Sequence, residues 1–312
     1  MGKIPVYRRL TTDEGGNGVS RRFYTVDVFA EKKYAGNQLA VVRDCEGLGT
    51  AEMQLIAKEM NYSETTFILR DEPHNGGFDV RIFTPAEEVP FAGHPTLGTA
   101  HVIQQEILRS EVPAVQLNLA VGPITVTFTY HDGVPDVLWM RQIEPTFGKT
   151  VTHADLAEVL RLSLADFDTR FAPQEVSTGL PFFIVPLCTL DAVRRARPQT
   201  ADLLRFVTPY TAKNILVFAP ETYEPGNDFN ARVFTDYLGI PEDPATGSAN
   251  GCLAGYLVKH RYRGASKLRA NVEQGYEIGR PSLLRLEAEA HGEAIAIHVG
   301  GKVVPVARGE LV

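Results

Sequence analysis

Residues Arg81 to Ala100, R-I-F-T-P-A-E-E-V-P-F-A-G-H-P-T-L-G-T-A, decide how the chain is read. Arg81-Ile82-Phe83-Thr84 is short, alternating and rich in β-formers, so it reads as a strand. Pro85 and Pro90 punctuate the loop that follows. Gly93-His94-Pro95-Thr96 then opens a helix over about Pro95 to Gln105, with Pro95 at a first helical position, where the missing N–H costs nothing. The turn before it presents free backbone N–H groups and a histidine, an arrangement that attracts anions.

The same pattern returns downstream. Arg232-Val233-Phe234-Thr235 repeats Arg81-Ile82-Phe83-Thr84, and Ile240-Pro241-Glu242-Asp243-Pro244-Ala245-Thr246-Gly247-Ser248-Ala249 again supplies a Pro-punctuated loop and a Gly turn. A helix of small residues follows from about Ala249 to His260. Upstream elements echo as well: the strand after Gly36 has a counterpart after Gly179, and Thr65–Leu69 has one at Asn214–Phe218. Shared order at an offset of roughly 145–150 residues reads as an internal duplication. Two pseudo-symmetric halves, 21–145 and 146–312, are expected, with residues 1–20 as a loose extension and the last strands packing back on the first half. The two Gly turns would then face each other across a cleft between the halves.

Elsewhere Thr50 to Met60 is an amphipathic helix that Thr50 is placed to cap. Thr152 is placed to cap a helix over His153–Leu162. Val115–Leu119 and Ile124–Tyr130 form a hairpin.

The chain has 312 residues, 44% apolar and 22% charged, with a net charge of −7. That is ordinary globular composition. Scattered basic residues argue against nucleic acid or an anionic membrane as partner. No apolar run approaches the about 18–20 residues that span a bilayer, and the N-terminus lacks the apolar stretch of a signal peptide. Cys45, Cys188 and Cys252 are odd in number and far apart, so they read as reduced, partly buried thiols of a cytoplasmic protein. No dinucleotide fingerprint, P-loop, H-E-x-x-H or G-x-S-x-G is present. His153, His260, His291 and His298 are isolated and read as structural.

The candidates for chemistry are Glu64, His94 and Asp243. Taken singly, each has a plainer role: a loop glutamate, a helix-capping histidine, a turn aspartate before Pro244, with Ser248 as a helix cap. The duplication places them together. One cleft would hold a carboxylate whose pKa is raised by burial, two assisting groups and two helix N-termini for an anion. That is a site for moving protons on a small carboxylate.

At these residues a family becomes recognisable. S-E-T-T-F, the Arg81–Ala100 stretch, E-D-P-A-T-G-S-A and Gln274-Gly275-x-Glu277-Ile278-Gly279-Arg280-Pro281-Ser282 closely resemble the PhzF phenazine-biosynthesis family, related to the diaminopimelate epimerases and proline racemases. The resemblance runs from about Arg22 to Val312. It implies an α+β, diaminopimelate-epimerase-like fold, each half wrapping a mostly antiparallel sheet around a central helix. It implies a homodimer and a cofactor-free isomerase acting on trans-2,3-dihydro-3-hydroxyanthranilate. On this resemblance Glu64 is the group that takes a proton from one ring carbon and returns it to another. His94 and Asp243 orient the substrate and assist. Gly93, Thr246, Gly247, Ser248 and Ala249 form the substrate-contacting turns. Three departures stand out. The epimerases carry a cysteine on each Gly turn, and here neither turn has one. Gln38 stands where the family has Pro. The segment before Ser20 has no counterpart. The rival readings are an epimerase or racemase of an amino or hydroxy acid using carboxylate bases, and a catalytically idle interaction protein.

Overall fold

The computed structural model describes residues 20–312; apart from Ser20, the expected N-terminal extension lies outside them. In chain order the first half contains β1 (Arg21–Val28), β2 (Asn37–Val42), α1 (Thr50–Met60), β3 (Glu64–Ile68), β4 (Phe78–Phe83), β5 (Glu88–Val89), α2 (Gly93–Val102), β6 (Ala114–Leu119), β7 (Gly122–His131) and β8 (Val134–Arg141). There follow β9 (Thr146–Thr150), α3 (His153–Leu160), β10 (Gln174–Ser177), β11 (Pro181–Pro186), α4 (Leu190–Arg195), α5 (Thr200–Val207), β12 (Asn214–Ala219), β13 (Phe229–Thr235), β14 (Ile240–Asp243), α6 (Gly247–Lys259), β15 (Lys267–Gln274), β16 (Ser282–His291), β17 (Ala294–Gly301) and β18 (Val303–Leu311).

Strand pairing reveals the repeat directly. β2 and β3 pair in parallel, as do β11 and β12. β3–β4 and β12–β13 are antiparallel, and β4–β5 and β13–β14 repeat the step. β4 runs parallel to β6, and β13 to β15. β6–β7–β8 and β15–β16–β17 are matching meanders. The two sheets join where β8 pairs with β17. The outermost strands follow the same rule: β9 pairs with β10, and β18 pairs with β1. One nine-stranded unit is therefore β9–β17, and the other is β1–β8 completed by the end of the chain.

Each unit wraps a helix whose surroundings are apolar on every side. Nine of the ten residues of α2 and eleven of the thirteen of α6 are buried. Such a helix cannot be amphipathic, and its small residues set how closely strands approach. A Cβ on Gly98 would stand 2.5 Å from Leu39 Cδ2, and one on Gly255 3.0 Å from Pro145 Cβ.

Several local expectations shift. Both central helices begin two residues earlier than the sequence suggests, at Gly93 and Gly247. The loops before them contain short strands, β5 and β14, because Glu88 and Glu242 lie opposite Phe83 and Phe234 in the ladder. α2 gives way after Val102 to a π-helical turn over Ile103–Leu108. Thr50 is the first residue of α1 and does not cap it; Gly49 is the N-cap, and Thr50 Oγ1 instead accepts from Arg81 Nη2 at 3.0 Å. Thr152 does cap α3, accepting from Asp155 N. Cys188 is exposed, unlike Cys45 and Cys252.

The repeated Arg-x-Phe motif forms the same ion pair twice in different surroundings. Arg81 meets Glu88 at 2.5 Å, with the two side chains 26% and 36% exposed. Arg232 meets Glu242 at 2.7 Å, with both under 10% exposed. Arg232 Nη1 also donates to the Ala196 carbonyl at 2.7 Å. An exposed pair contributes about 0–1 kcal/mol, whereas removing one partner of a buried pair costs about 3–5 kcal/mol. Glu242→Ala is therefore expected to lower unfolding stability by about 3 kcal/mol and Glu88→Ala by less than about 1 kcal/mol, measured by urea denaturation. Equal losses would show that burial does not set the difference.

Candidate active site

The N-termini of α2 and α6 meet head to head on the pseudo-twofold axis. A Cβ on Gly93 would lie 3.7 Å from Gly247 Cα and 3.8 Å from Ser248 N. Among the described residues neither helix has a side-chain cap: Ala92 and Thr246 occupy the N-cap positions without a capping bond. Two positive helix ends thus converge on one place.

Around them the structure gathers the three candidate residues. Glu64 opens β3, and its Oε2 lies 3.4 Å from His94 Nε2. The contact is not aligned as a hydrogen bond, so both atoms are buried without a hydrogen-bond partner among the described residues. Burial, and next the charge of Asp243, push the Glu64 carboxyl up from 4.5 to about 8. Burial holds His94 down at about 3, opposed by a hydrogen bond to the Gln38 main chain. Burial thus favours the neutral acid on Glu64 and the neutral imidazole on His94. Burial also raises the Asp243 pKa, against the hydrogen bonds donated by Thr246 Oγ1 and by Asn37 Nδ2.

The remaining predicted residues form the two turns. Thr246 is the N-cap of α6, Gly247 and Ser248 follow, and the Ser248 carbonyl accepts from Thr178 Oγ1 at 3.3 Å. Gly93, Thr246 and Ser248 are partly accessible; Gly247 and Ala249 are buried and offer only backbone.

A supporting network escaped the sequence reading. Gln274, fully buried, donates from Nε2 to the Asp243 carbonyl at 2.8 Å and accepts at Oε1 from Asn250 Nδ2 at 2.8 Å. Asn37 Nδ2 also donates to the Ala245 carbonyl at 3.0 Å. Arg280 ties Asp27 to the carbonyls of Ala35 and Gly36, and Ser282 Oγ donates to Pro244 O at 2.9 Å. The Gln274–Ser282 motif therefore staples the Asn37 turn to the Asp243 turn. Gly275, at φ +79°, is required there, because a Cβ would sit 2.4 Å from Arg280 O and 2.6 Å from Pro244 O. The motif was visible in the sequence, but nothing in its spacing told which turn it holds.

The site is asymmetric in chemistry. Leu39 faces Glu64 in the first half, and Phe182 faces Asn214 in the second, so Asn214 takes the place of the glutamate. Asn214 is buried with both amide atoms unpartnered among the described residues. Ser248, second residue of α6, stands where α2 has His94. Cys252 lies a turn further into α6, its thiol 3.7 Å from Thr178 Oγ1 and pushed up to about 12 by burial. It is an inert thiol away from the turns. Among the described residues no group of three or more His, Cys, Asp or Glu could hold a metal ion.

The model of the phenazine biosynthesis-like protein family, PhzC-PhzF, matches residues 26–309. The chain belongs to the PhzF family. It is similar to the trans-2,3-dihydro-3-hydroxyanthranilate isomerase of Pseudomonas aeruginosa, 35% identical over 292 residues, covering 92% of this chain and 98% of that one. An uncharacterized isomerase from Mesorhizobium japonicum is 33% identical over 316 residues, covering 94% and 99%. Among solved structures, a PhzF-family phenazine biosynthesis protein from Bacillus anthracis superposes with a TM-score of 0.86 at 27% identity, covering 94% of this chain and 99% of that one. A hydroxyproline epimerase from Agrobacterium vitis, TM-score 0.59 at 10% identity over 94% and 91% of the chains, shares the fold alone. The α+β, diaminopimelate-epimerase-like fold and the isomerase class are thereby shown. No helix among the described residues is long and apolar enough to cross a membrane.

The raised Glu64 pKa has a stability consequence. A folded-state pKa above the unfolded one leaves its contribution intact below about pH 4.5 and removes it progressively as the pH rises toward 8. Glu64→Gln lacks this loss. Its melting temperature relative to the unsubstituted protein is expected to rise between pH 5 and pH 8.5, read by differential scanning calorimetry. A difference independent of pH would mean that Glu64 titrates normally.

Proposed function

We propose that this protein is a cofactor-independent isomerase that moves a proton on a small carboxylated substrate, with trans-2,3-dihydro-3-hydroxyanthranilate as the substrate and Glu64 as the shuttle. The observation that carries this reading is the buried Glu64 carboxyl beside His94, at the meeting point of two uncapped helix N-termini. The similarity to relatives named for that isomerisation supports the choice of substrate.

The chemistry follows from the geometry. The N–H groups of the Gly93 and Thr246–Ala249 turns hold the substrate carboxylate and stabilise negative charge as it spreads through the conjugated ring. Ionised Glu64 takes a proton from one ring carbon, becoming the neutral acid that its surroundings favour. It then returns the proton to another carbon of the same conjugated system. A base with a pKa of about 8 both accepts and gives back the proton near neutral pH, as a shuttle must. His94, neutral at that pH, orients the Glu64 carboxyl, and Asp243, fixed by Asn37 and Thr246, orients the substrate. Asn214 in place of a second glutamate leaves the site one ionisable base of this kind, which favours return of the same proton over the two-base exchange of an epimerase. The same reading expects a homodimer, checked by light scattering.

Glu64→Gln should reduce kcat by at least about 10²-fold, the lower range for a general acid–base group, with KM little changed. The kcat/KM of the unsubstituted protein should climb with pH and level off above about 8, as Glu64 ionises. Turnover in deuterated water, followed by mass spectrometry, tests the substrate and the shuttle together. Absence of turnover would overturn the substrate, and full activity of Glu64→Gln would overturn the base. Epimerisation of an amino acid would favour the rival chemistry.

A further inference from the structure

A second cavity, of about 300 Å³, opens near the opposite end of α2 from the Gly93 turn. His101 lines it. This side chain is 5% exposed, and neither ring nitrogen has a hydrogen-bond partner among the described residues. A buried imidazole with both nitrogens unpartnered is unusual, because burying a polar atom without a partner forfeits its hydrogen bonds to water.

Two irregularities frame the cavity. The ladder between β1 and β18 slips beside it: Thr25 faces Ala307 and Val26 faces Pro305, leaving Val306 as the extra residue of a bulge. On the other side α2 changes to its π-helical turn, which brings Gln105 and Glu106 to the cavity. Such turns recur at functional sites. Tyr24, Val26, Val102 and Pro305 supply largely apolar walls. Lys33 and Arg308 stand at the rim, both exposed, and neither has an ion-pair partner among the described residues. The one carboxylate of the lining, Glu106, accepts from Tyr24 Oη at 3.3 Å. The lining therefore carries an excess of one positive charge.

The internal repeat shows that the fold does not require this cavity. Counting from the glycine that opens each helix, Gly255 and Tyr256 of α6 stand where α2 has His101 and Val102. Gly255 packs against Pro145, and the fully buried Tyr256 anchors its hydroxyl on the Ala172 carbonyl at 2.8 Å. There the space is filled by side chains. In the first half it is open and lined by an unsatisfied histidine.

We propose that this cavity is a binding site, distinct from the proposed catalytic cleft, for a small organic anion with an apolar body: a monocarboxylate that hydrogen-bonds His101 and meets Lys33 and Arg308 at the rim. Neutral imidazole offers one donor and one acceptor, and apolar walls with a few polar groups are the usual make-up of such a site.

Benzoate is the probe, and benzyl alcohol is its uncharged counterpart. The full chain, labelled with ¹⁵N-histidine, is titrated with each and followed by NMR, with His101→Phe identifying the His101 ring signals. The expected result is saturable movement of those signals by benzoate at roughly millimolar concentration, as suits a ligand of few atoms. Benzyl alcohol should bind about ten-fold more weakly, and Arg308→Ala, a surface change, should weaken benzoate about three-fold or more. Unmoved His101 signals, equal affinity for benzyl alcohol, or indifference to Arg308→Ala would each overturn the proposal. So would a crystal grown in benzoate with only water on His101. Binding at the catalytic cleft registers at His94 in the same spectra, so the two sites succeed or fail separately.

Discussion

Two helix N-termini abut on one axis with no side chain to cap either, and the rest of the molecule follows from that contact. The backbones come into contact there: a Cβ on Gly93 would lie 3.7 Å from Gly247 Cα. Unsatisfied N–H groups need an anion or water, so the junction has to reach solvent. Helices that meet end to end at the centre are surrounded on their flanks, so α2 and α6 are apolar on nearly every face and made largely of small residues. The strands of each unit wrap around them and cover those flanks.

Two opposing effects act on the carboxylates at this junction, and burial raises the pKa of both. The field of two helix ends favours negative charge, while burial favours the neutral acid. For Glu64 burial prevails, because it has no hydrogen-bond donor on Oε2. For Asp243 the donors Asn37 and Thr246 work against the same penalty. The two buried acids thus differ in their hydrogen bonds: Asp243 accepts from Asn37 and Thr246, and Glu64 Oε2 has no partner among the described residues. The staple of Gln274, Arg280 and Ser282 keeps this difference in place by fixing the backbone on which Asp243 sits.

Much of this was legible in the sequence, for identifiable reasons. Arg-x-Phe-Thr recurred because each copy makes the same ion pair and the same ladder contact, so the repeat survived in the letters. The gathering of Glu64, His94 and Asp243 followed once the repeat was seen. Other features stayed hidden because they depend on partners distant in the chain. Gln274 reads as a strand residue until its bond to Asp243 is known, and Asn37 reads as a turn residue until it is placed opposite Ala245. The strands β5 and β14 were hidden by their brevity and by Pro90 after the one and Pro241 within the other. His101 gave no signal, since a histidine in a helix of small residues looks the same whether or not its nitrogens find partners.

The placement of β18 has a consequence for how the protein is made. The first nine-stranded unit closes only when Val303–Leu311, which follows every strand of the second unit, reaches β1. The second unit is continuous from β9 to β17 and has all its strands before that point. On the ribosome, therefore, the order of synthesis is not the order of completion: the half that emerges first finishes last. Until β18 emerges, the outer edge of β1 is an open template for pairing with another chain. The interval between synthesis of Val28 and of Leu311 is then when the nascent protein is most exposed to misassembly.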